Sequence, residues 1–177
     1  MHSRILSVSA FAALAIAATV WALDGVAAAD APKAGTPKVD YAKISPIDLA
    51  KETPKGQLKN PYSDSQADIV AQGERLYMSY GCNGCHGGGG GGGMCPPLTY
   101  DVWIYGGDDD TLFRVVALGS DELQKQGYTR KGSEHVVGPM SPFGTLLKSS
   151  DELWKINTFI RSKYSANADP THKFGTP

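Results

Sequence analysis

The five residues Cys82-Asn83-Gly84-Cys85-His86 decide the fold class of this sequence. Two cysteines separated by two residues and followed directly by histidine form the attachment pattern of c-type haem. Each thiol adds to one vinyl group of the haem, and the two intervening residues let the chain turn far enough to reach both. The histidine then lies under the iron as its proximal ligand. The motif therefore predicts one haem c, bound through two thioethers at Cys82 and Cys85, with His86 as a metal ligand.

Three other interpretations of the motif have to be weighed. A thioredoxin-like dithiol follows a strand in a βαβ unit, whereas a helix is predicted before Cys82. A zinc site needs about four ligands, and the sequence offers neither a second Cys-x-x-Cys nor a paired histidine motif. A structural disulfide between Cys82 and Cys85 leaves His86 without a role. Haem attachment is the interpretation that uses all three residues.

Length and composition exclude several classes of protein. The chain has 177 residues, of which 41% are hydrophobic and 20% charged, and its formal net charge is -1. It is too charged for a polytopic membrane protein and too apolar for a wholly disordered chain. The balance of charges gives no reason to expect nucleic-acid binding. The 3 cysteines cannot all pair with each other, which argues against a scaffold held only by internal disulfides.

The N-terminus has the pattern of a secretory signal. One positive charge at Arg4 precedes a mostly apolar stretch over residues 5–23, and three alanines at 27–29 precede Asp30. A charged start, an apolar middle and small residues at the cut are typical of a cleaved signal peptide. We expect residues 1–29 to be removed and the mature chain to be soluble in the periplasm, without stable membrane insertion. An uncleaved anchor is the alternative.

The rest of the chain predicts helices separated by long loops. Residues 30–60 contain four prolines and no sustained apolar period, which predicts an extended arm on the surface. Apolar spacing predicts helices from 64 or 65 to about 80, from 110 to 118, and from 149 or 150 to about 164. Residues 165–177 are expected to form a tail. No convincing strand pattern appears, so the chain is predicted to be all-α.

A second axial ligand decides whether the iron relays electrons or binds a substrate. The candidates are Met78, Met94, Met140, His135 and His172. Prolines on both sides of Met140 stiffen its loop and present the thioether with little conformational entropy left to lose. We predict Met140 as the distal ligand, with His135 as the alternative. Ligation by histidine and methionine leaves no vacant position on the iron, so one-electron relay is expected rather than catalysis.

The stretch after His86 combines seven glycines with a cysteine and two prolines. We expect the glycines at 87–93 to permit positive-φ turns and a close approach of the backbone to the haem, because glycine lacks a Cβ. A carbonyl in the next segment, taken as that of Pro96, is expected to accept a hydrogen bond from His86 Nδ1. Cys95 is expected to be a small buried residue, with an intermolecular disulfide as the alternative.

Residues from about 68 to 164 resemble a class I cytochrome c domain. Gly73 and Tyr77 are similar to the glycine and the aromatic residue at which the family's first helix crosses its C-terminal helix. Cys95-Pro96-Pro97-Leu98 resembles the family's Gly-Pro-x-Leu, with Cys in place of Gly. Met140-Ser141-Pro142-Phe143 resembles its distal Met-Pro-aromatic, with one position inserted or substituted. The resemblance implies a class I cytochrome c fold over residues 61–164, with about three to five short helices and long loops around one haem.

A narrower resemblance covers residues 81–161, which are similar to the methanol-metabolism-related c-type cytochromes. It rests on the glycine run with Met94-Cys95-Pro96-Pro97-Leu98, on Trp103-Ile104-Tyr105-Gly106 and on Val136-Val137-Gly138-Pro139-Met140. That subgroup consists of cytochrome cL-like electron acceptors of PQQ-dependent alcohol dehydrogenases, particularly the lanthanide-dependent methanol dehydrogenases. The resemblance implies a monomeric carrier, not an enzyme. It would accept electrons from such a dehydrogenase and pass them to a downstream cytochrome or oxidase.

Two functions of other classes remain as alternatives at this point. A haem enzyme, such as a small peroxidase or a sulfur-oxidising subunit, requires an open or thiolate-ligated iron, with Met140 merely structural. A docking domain would use the arm at 30–60 to join a larger complex. The ligation of the iron distinguishes the first alternative from electron relay, and deletion of the arm tests the second.

Overall fold

The computed structural model describes residues 39–100, 103–132 and 138–163. The predicted signal peptide at 1–29, the alternative ligands His135 and His172, and the tail at 165–177 lie outside the described residues.

Six helices make up the regular structure of the described residues, and those residues contain no strand. In chain order the helices are α1 (Pro46–Glu52), α2 (Ala67–Ser79), α3 (Cys82–His86), α4 (Asp109–Leu118), α5 (Ser120–Lys125) and α6 (Ser150–Ser162). The all-α fold class is confirmed, with one helix more than the upper expected number. Within the described ranges, no helix is long and apolar enough to cross a membrane.

The crossing of α2 and α6 forms the centre of the fold. A Cβ built on Gly73 would lie 2.0 Å from the carbonyl oxygen of Lys155 and 2.9 Å from Cβ of Phe159. Only glycine therefore allows the two backbones to approach this closely. One turn later Tyr77 is fully buried, and its ring centroid lies 5.0 Å from that of Phe159. The structure thus has the helix crossing that the resemblance implied, with Lys155 and Phe159 as the contact residues on α6.

The helices α4 and α6 begin close to their predicted starts, because a capping side chain in the sequence marks the N-terminus of each helix. Asp108 accepts a hydrogen bond from the amide of Thr111 at 2.9 Å, so α4 starts at Asp109, one residue before the expected start. Ser149 caps α6 in the same way through the amide of Glu152. The helix α2 starts at Ala67, slightly later than predicted, because its N-cap is Gln66.

The prediction of an extended arm over residues 30–60 is wrong for part of its described residues. Ser45 caps α1 by accepting a hydrogen bond from the amide of Asp48 at 3.1 Å, and proline opens the helix. Leu49 and Ala50 are buried in the core, as is Leu58 further along. A helix of seven residues is too short to show a sustained apolar period, which explains why the pattern was not recognised.

A buried ion pair fastens this N-terminal segment to α4. The Nε of Arg114 donates to the carboxylate of Asp110 at 3.0 Å, and both side chains are almost fully buried. Arg114 also donates to the carbonyl oxygens of Ala50 and Thr53, while the amide of Leu58 donates to Asp110. Apart from the hydroxyl of Tyr128, which also donates to Asp110, the hydrogen-bond partners of the pair outside α4 lie in residues 50–58. The pair is therefore a tether between α4 and this segment.

The pKa of Asp110 predicts how this tether depends on pH. Burial raises the pKa of Asp110, but hydrogen bonds from Tyr128, Arg114 and two backbone amides outweigh burial, so the pKa lies below its ordinary value of 3.8. The stabilisation is therefore complete above the ordinary value and is lost as pH falls through the lower folded-state pKa. D110N should reduce the free energy of unfolding by roughly 3 kcal/mol at pH 7, because it leaves Arg114 buried and unpaired.

This effect is measured by urea unfolding of wild type and D110N at two pH values. One is pH 7 and the other is pH 2.5, roughly one unit below an ordinary carboxyl pKa. We expect the difference between the two proteins to shrink at the acidic pH. D40N is the control, because Asp40 pairs with Lys43 at an exposed site and such pairs contribute little. An equal loss for D40N and D110N at pH 7 would contradict the tether.

Candidate functional site

The motif residues form the one-turn helix α3 immediately after α2. Gly81, with φ 77°, separates the two helices, and Gly87, with φ 78°, ends α3. Cys82 and Cys85 stand three residues apart and Cys82 and His86 four apart, so all three share one face of the turn. This helix was not predicted, yet it explains the spacing of the motif, because only a helical turn brings these three side chains together.

The imidazole of His86 is oriented by the backbone of the following loop. Its Nδ1 lies 2.9 Å from the carbonyl oxygen of Pro96, the contact expected from the sequence. A carbonyl oxygen only accepts hydrogen bonds, so Nδ1 carries the proton and Nε2 keeps its lone pair. An imidazole held in this way is prepared to bind a metal through Nε2.

A cavity of about 350 Å³ lies beside this histidine. His86 and Met140 both line it, although they come from distant parts of the chain. Most of the remaining wall is apolar, formed among others by Leu98, Trp103, Ile104, Leu112 and Val115. The volume and the apolar lining are those of a cofactor site.

Met140 reaches the cavity because its loop is bonded to the junction of α4 and α5. The amide of Met140 donates to Oγ of Ser120 at 2.9 Å, and the amide of Ser120 donates to the carbonyl of Met140 at 3.0 Å. Gly119 permits this approach: it has φ 79°, and a Cβ there would lie 2.8 Å from the Met140 carbonyl oxygen. Phe143 continues the attachment by donating its amide to the carbonyl of Val116.

Sequence reasoning missed Ser120 and the close approach of Gly119. Gly119 directly follows α4, and Ser120 lies 20 positions from the methionine that it holds. The available signal was the Gly-Ser pair at a helix end, which is common at turns, but nothing local identifies its partner.

Two other candidate ligands are placed away from the cavity. Met78 is 45% exposed and Met94 is 64% exposed, and neither lines the cavity. Of the methionines that the structure describes, Met140 alone lines it.

The glycine run has the positive-φ turns that were expected of it. None of residues 87–93 lines the cavity, and the expected close approach of this backbone to the haem stays a prediction. Gly87, Gly90 and Gly92 have positive φ, and a Cβ on Gly92 would lie 2.9 Å from Cγ of Pro97. The glycines fold the loop tightly on itself and so place the Pro96 carbonyl beside His86.

Alanine substitutions within the glycine run should therefore differ sharply in their effect on the free energy of unfolding. G92A is expected to reduce the free energy of unfolding by roughly 2 kcal/mol, because it forces a Cβ into Pro97 at a positive φ. G89A, in open space and without a positive φ, should change it by less than about 0.5 kcal/mol. Denaturant unfolding of both variants compares them. Equal effects would contradict the division of the run into constrained and free positions.

The surroundings of the cysteines disfavour two other interpretations of the motif, a thiol-redox site and a zinc site. No disulfide joins Cys82, Cys85 or Cys95 in the described part of the chain, and burial raises the pKa of the Cys82 thiol to about 11. Reactive redox cysteines have lowered pKa values instead. Among the described residues no group of three or more His, Cys, Asp or Glu side chains is placed to hold a metal ion, so zinc gains no support.

Cys95 is half-buried and lines the cavity, as expected for a small packing residue. Its amide donates to the carbonyl of Cys85 at 3.1 Å. Burial, followed by the contact with the Cys85 thiol, raises the pKa of Cys95 to about 11. The structure leaves the alternative of an intermolecular disulfide untested.

The residues around the cavity fit a haem. The imidazole of His86 on α3 and the side chain of Met140 line the cavity, and most of the other lining residues are apolar; Cys82 and Cys85 do not line it but lie on the same helical turn as His86. Tyr105 also lines the cavity and is 9% exposed.

Comparison with known proteins decides the family. Residues 68–160 match the family described as "Cytochrome C oxidase, cbb3-type, subunit III". The chain belongs to this family of c-type cytochromes. It is a class I c-type cytochrome and an electron-transfer protein, and members of the family carry covalently bound haem c. The match lies inside the predicted cytochrome c domain at 61–164, whose boundaries stay a prediction.

Comparisons with curated proteins and with solved structures do not narrow the family further. No curated protein matches the cytochrome sequence. Among solved structures, the crystal structure of cytochrome cL from the marine methylotrophic bacterium Methylophaga aminisulfidivorans is similar at 23% sequence identity and a TM-score of 0.45, over 71% of this chain and 69% of that one. A likeness of this degree carries no argument about partner or substrate.

Proposed function

We propose that this cytochrome is a periplasmic mono-haem electron carrier whose iron is ligated by His86 and Met140. The observation that supports the ligand pair most directly is that both residues line one cavity, with the thiols of Cys82 and Cys85 on the same helix as the histidine. The signal pattern at residues 1–29 supports export, since haem c attachment and a secretory signal agree with each other.

Each residue has a distinct task in this proposal. Cys82 and Cys85 anchor the cofactor, which supplies a one-electron couple when bound. Pro96 holds the His86 ring in the tautomer that leaves Nε2 free. Met140 would supply the second protein ligand of the iron and so keep water and small ligands off the metal. A histidine–methionine pair raises the reduction potential relative to two histidines and leaves no site for a substrate.

We further propose a PQQ-dependent methanol or alcohol dehydrogenase as the electron donor, and a downstream cytochrome or oxidase as the acceptor. The support is the resemblance of residues 81–161 to cytochromes of methanol metabolism, carried by the glycine run with Met94–Leu98, by Trp103–Gly106 and by Val136–Met140. Transient redox partners use small interfaces, so this partnership requires no large apolar docking patch.

Stopped-flow mixing tests the donor. Dehydrogenase reduced by alcohol is mixed with the oxidised full-length cytochrome, and the appearance of the reduced haem spectrum is followed. We expect second-order reduction at least tenfold faster than that of an unrelated class I cytochrome of similar potential. Equal rates for the two cytochromes would remove the assignment of this partner and leave the assignment as an electron carrier intact.

A further inference from the structure

The buried residue Tyr77 makes a polar contact that helix packing does not require. Its side chain is fully buried between α2 and α6, where a phenylalanine would pack equally well. Its hydroxyl donates to the carbonyl oxygen of Gly87 at 2.7 Å. Gly87 is the residue immediately after His86, so the hydroxyl connects the helix crossing with the backbone that leaves the proximal histidine.

The backbone at this point has no freedom to relax around the contact. The amide of Gly87 donates to the carbonyl of Asn83 at 2.9 Å, and the amide of Gly92 donates to the carbonyl of His86 at 2.9 Å. A Cβ on Gly87 would lie 2.7 Å from the carbonyl oxygen of Gly92. The Tyr77 hydroxyl therefore fixes the one peptide carbonyl that joins α3 to this tight loop.

The Tyr77 side of this hydrogen bond is rigid as well. Tyr77 sits one turn after Gly73, where the backbones of α2 and α6 are in direct contact, and its ring packs on Phe159. The same loop carries Pro96, whose carbonyl oxygen orients the imidazole of His86. A shift of residues 87–96 relative to α3 would lengthen that bond before it disturbed the helix packing.

We propose that Tyr77 is a positioning residue for the proximal ligand: its hydroxyl holds the loop so that Pro96 keeps a short hydrogen bond to His86. This inference rests on the proposed function, because it takes His86 as an iron ligand. A strong Nδ1 hydrogen bond makes the imidazole a better electron donor and favours the oxidised iron. Loss of the hydroxyl should therefore raise the reduction potential of the bound haem.

The test compares Y77F with Y80F in the haem-loaded full-length protein. Tyr80 closes the same helix, and its hydroxyl donates to the carboxylate of Glu152 at 2.6 Å, away from His86. Y80F loses a charge-assisted bond, so it should cost at least as much stability as Y77F. The pair thus separates an effect on the ligand from a general loss of a buried hydroxyl contact.

Redox titration and the paramagnetic resonance spectrum of the oxidised haem are the two measurements. For Y77F we expect the one-electron equilibrium constant to change about threefold toward the reduced form, about 30 mV at ~59 mV per tenfold. Its resonance positions should also shift, because they report the orientation of the histidine ring. Y80F should leave both unchanged. Wild-type values for Y77F, or equal shifts in both variants, would overturn the proposal.

Amide hydrogen exchange gives a readout that does not involve the haem spectrum. Residues 87–93 should exchange faster in Y77F than in Y80F, since only the first variant releases the loop. Failure of the proposed function is distinguishable from failure of this inference. A chain without covalent haem would contradict the former, whereas haem present with an unmoved potential contradicts only the role of Tyr77.

Discussion

The M140A variant is expected to lose the far-red charge-transfer band of methionine-ligated oxidised haem and to have a lower reduction potential. Removing the thioether opens the sixth position to water, which favours the oxidised iron, and axial ligands of haem set potentials over a range of about 0.8 V. We expect the midpoint potential to fall by on the order of 0.1 V. The vacant position should also bind added imidazole or carbon monoxide, which wild type excludes.

Two other methionines provide matched controls for this prediction. Met78 and Met94 are exposed and lie away from the cavity, so M78A and M94A should keep the band and the potential. Optical spectra and redox titrations of the three variants make the comparison. If M140A keeps the band, the distal ligand is another residue. The histidine alternative His135, outside the described residues, would then be tested by the same spectrum.

The G73A variant is expected to be the most damaging single change in the helix packing. The added Cβ would lie 2.0 Å from the Lys155 carbonyl oxygen and 2.7 Å from its carbon, and both are backbone atoms that cannot rotate away. The helices α2 and α6 must separate, which should cost roughly 3 kcal/mol or more of the free energy of unfolding. Tyr77 and Phe159 pack at the same crossing, so the yield of haem-loaded protein should fall as well.

Urea unfolding and haem content of the purified protein measure these effects. G88A is the control, because a Cβ there meets no atom within 4 Å and the residue has no positive φ. It should resemble wild type in both measurements. A G73A protein with wild-type stability would show that the two helices do not cross in the way described here.

The sequence predicted those elements whose ends carry side-chain signals. The helix α4 has an aspartate cap and a terminal glycine, and α6 has a serine cap followed by two acidic residues, so the starts of both helices were predicted to within about one residue. The helices α1, α3 and α5 have 7, 5 and 6 residues. Helices this short are not stable by themselves and exist because of their tertiary contacts, which a periodic pattern cannot reveal.

In the candidate site, too, contacts signalled by the local sequence were predicted and contacts set by the fold were not. The expected bond between His86 and Pro96 is present, because a motif histidine and a following proline segment are joined by a short loop. The contact partners of the glycines could not be predicted, since a glycine tolerates many close contacts and its neighbour is not written in the local sequence. Gly92 meets Pro97 and Gly119 meets Met140, and both partners are set by the fold.

The mass of the intact protein, purified from the periplasm and denatured before measurement, tests the central claim most directly. A single covalent haem on an exported chain predicts the mass of residues 30–177 plus one haem, retained after denaturation. Unmodified polypeptide as the main species, or more than one haem per chain, would contradict the assignment as a mono-haem c-type cytochrome.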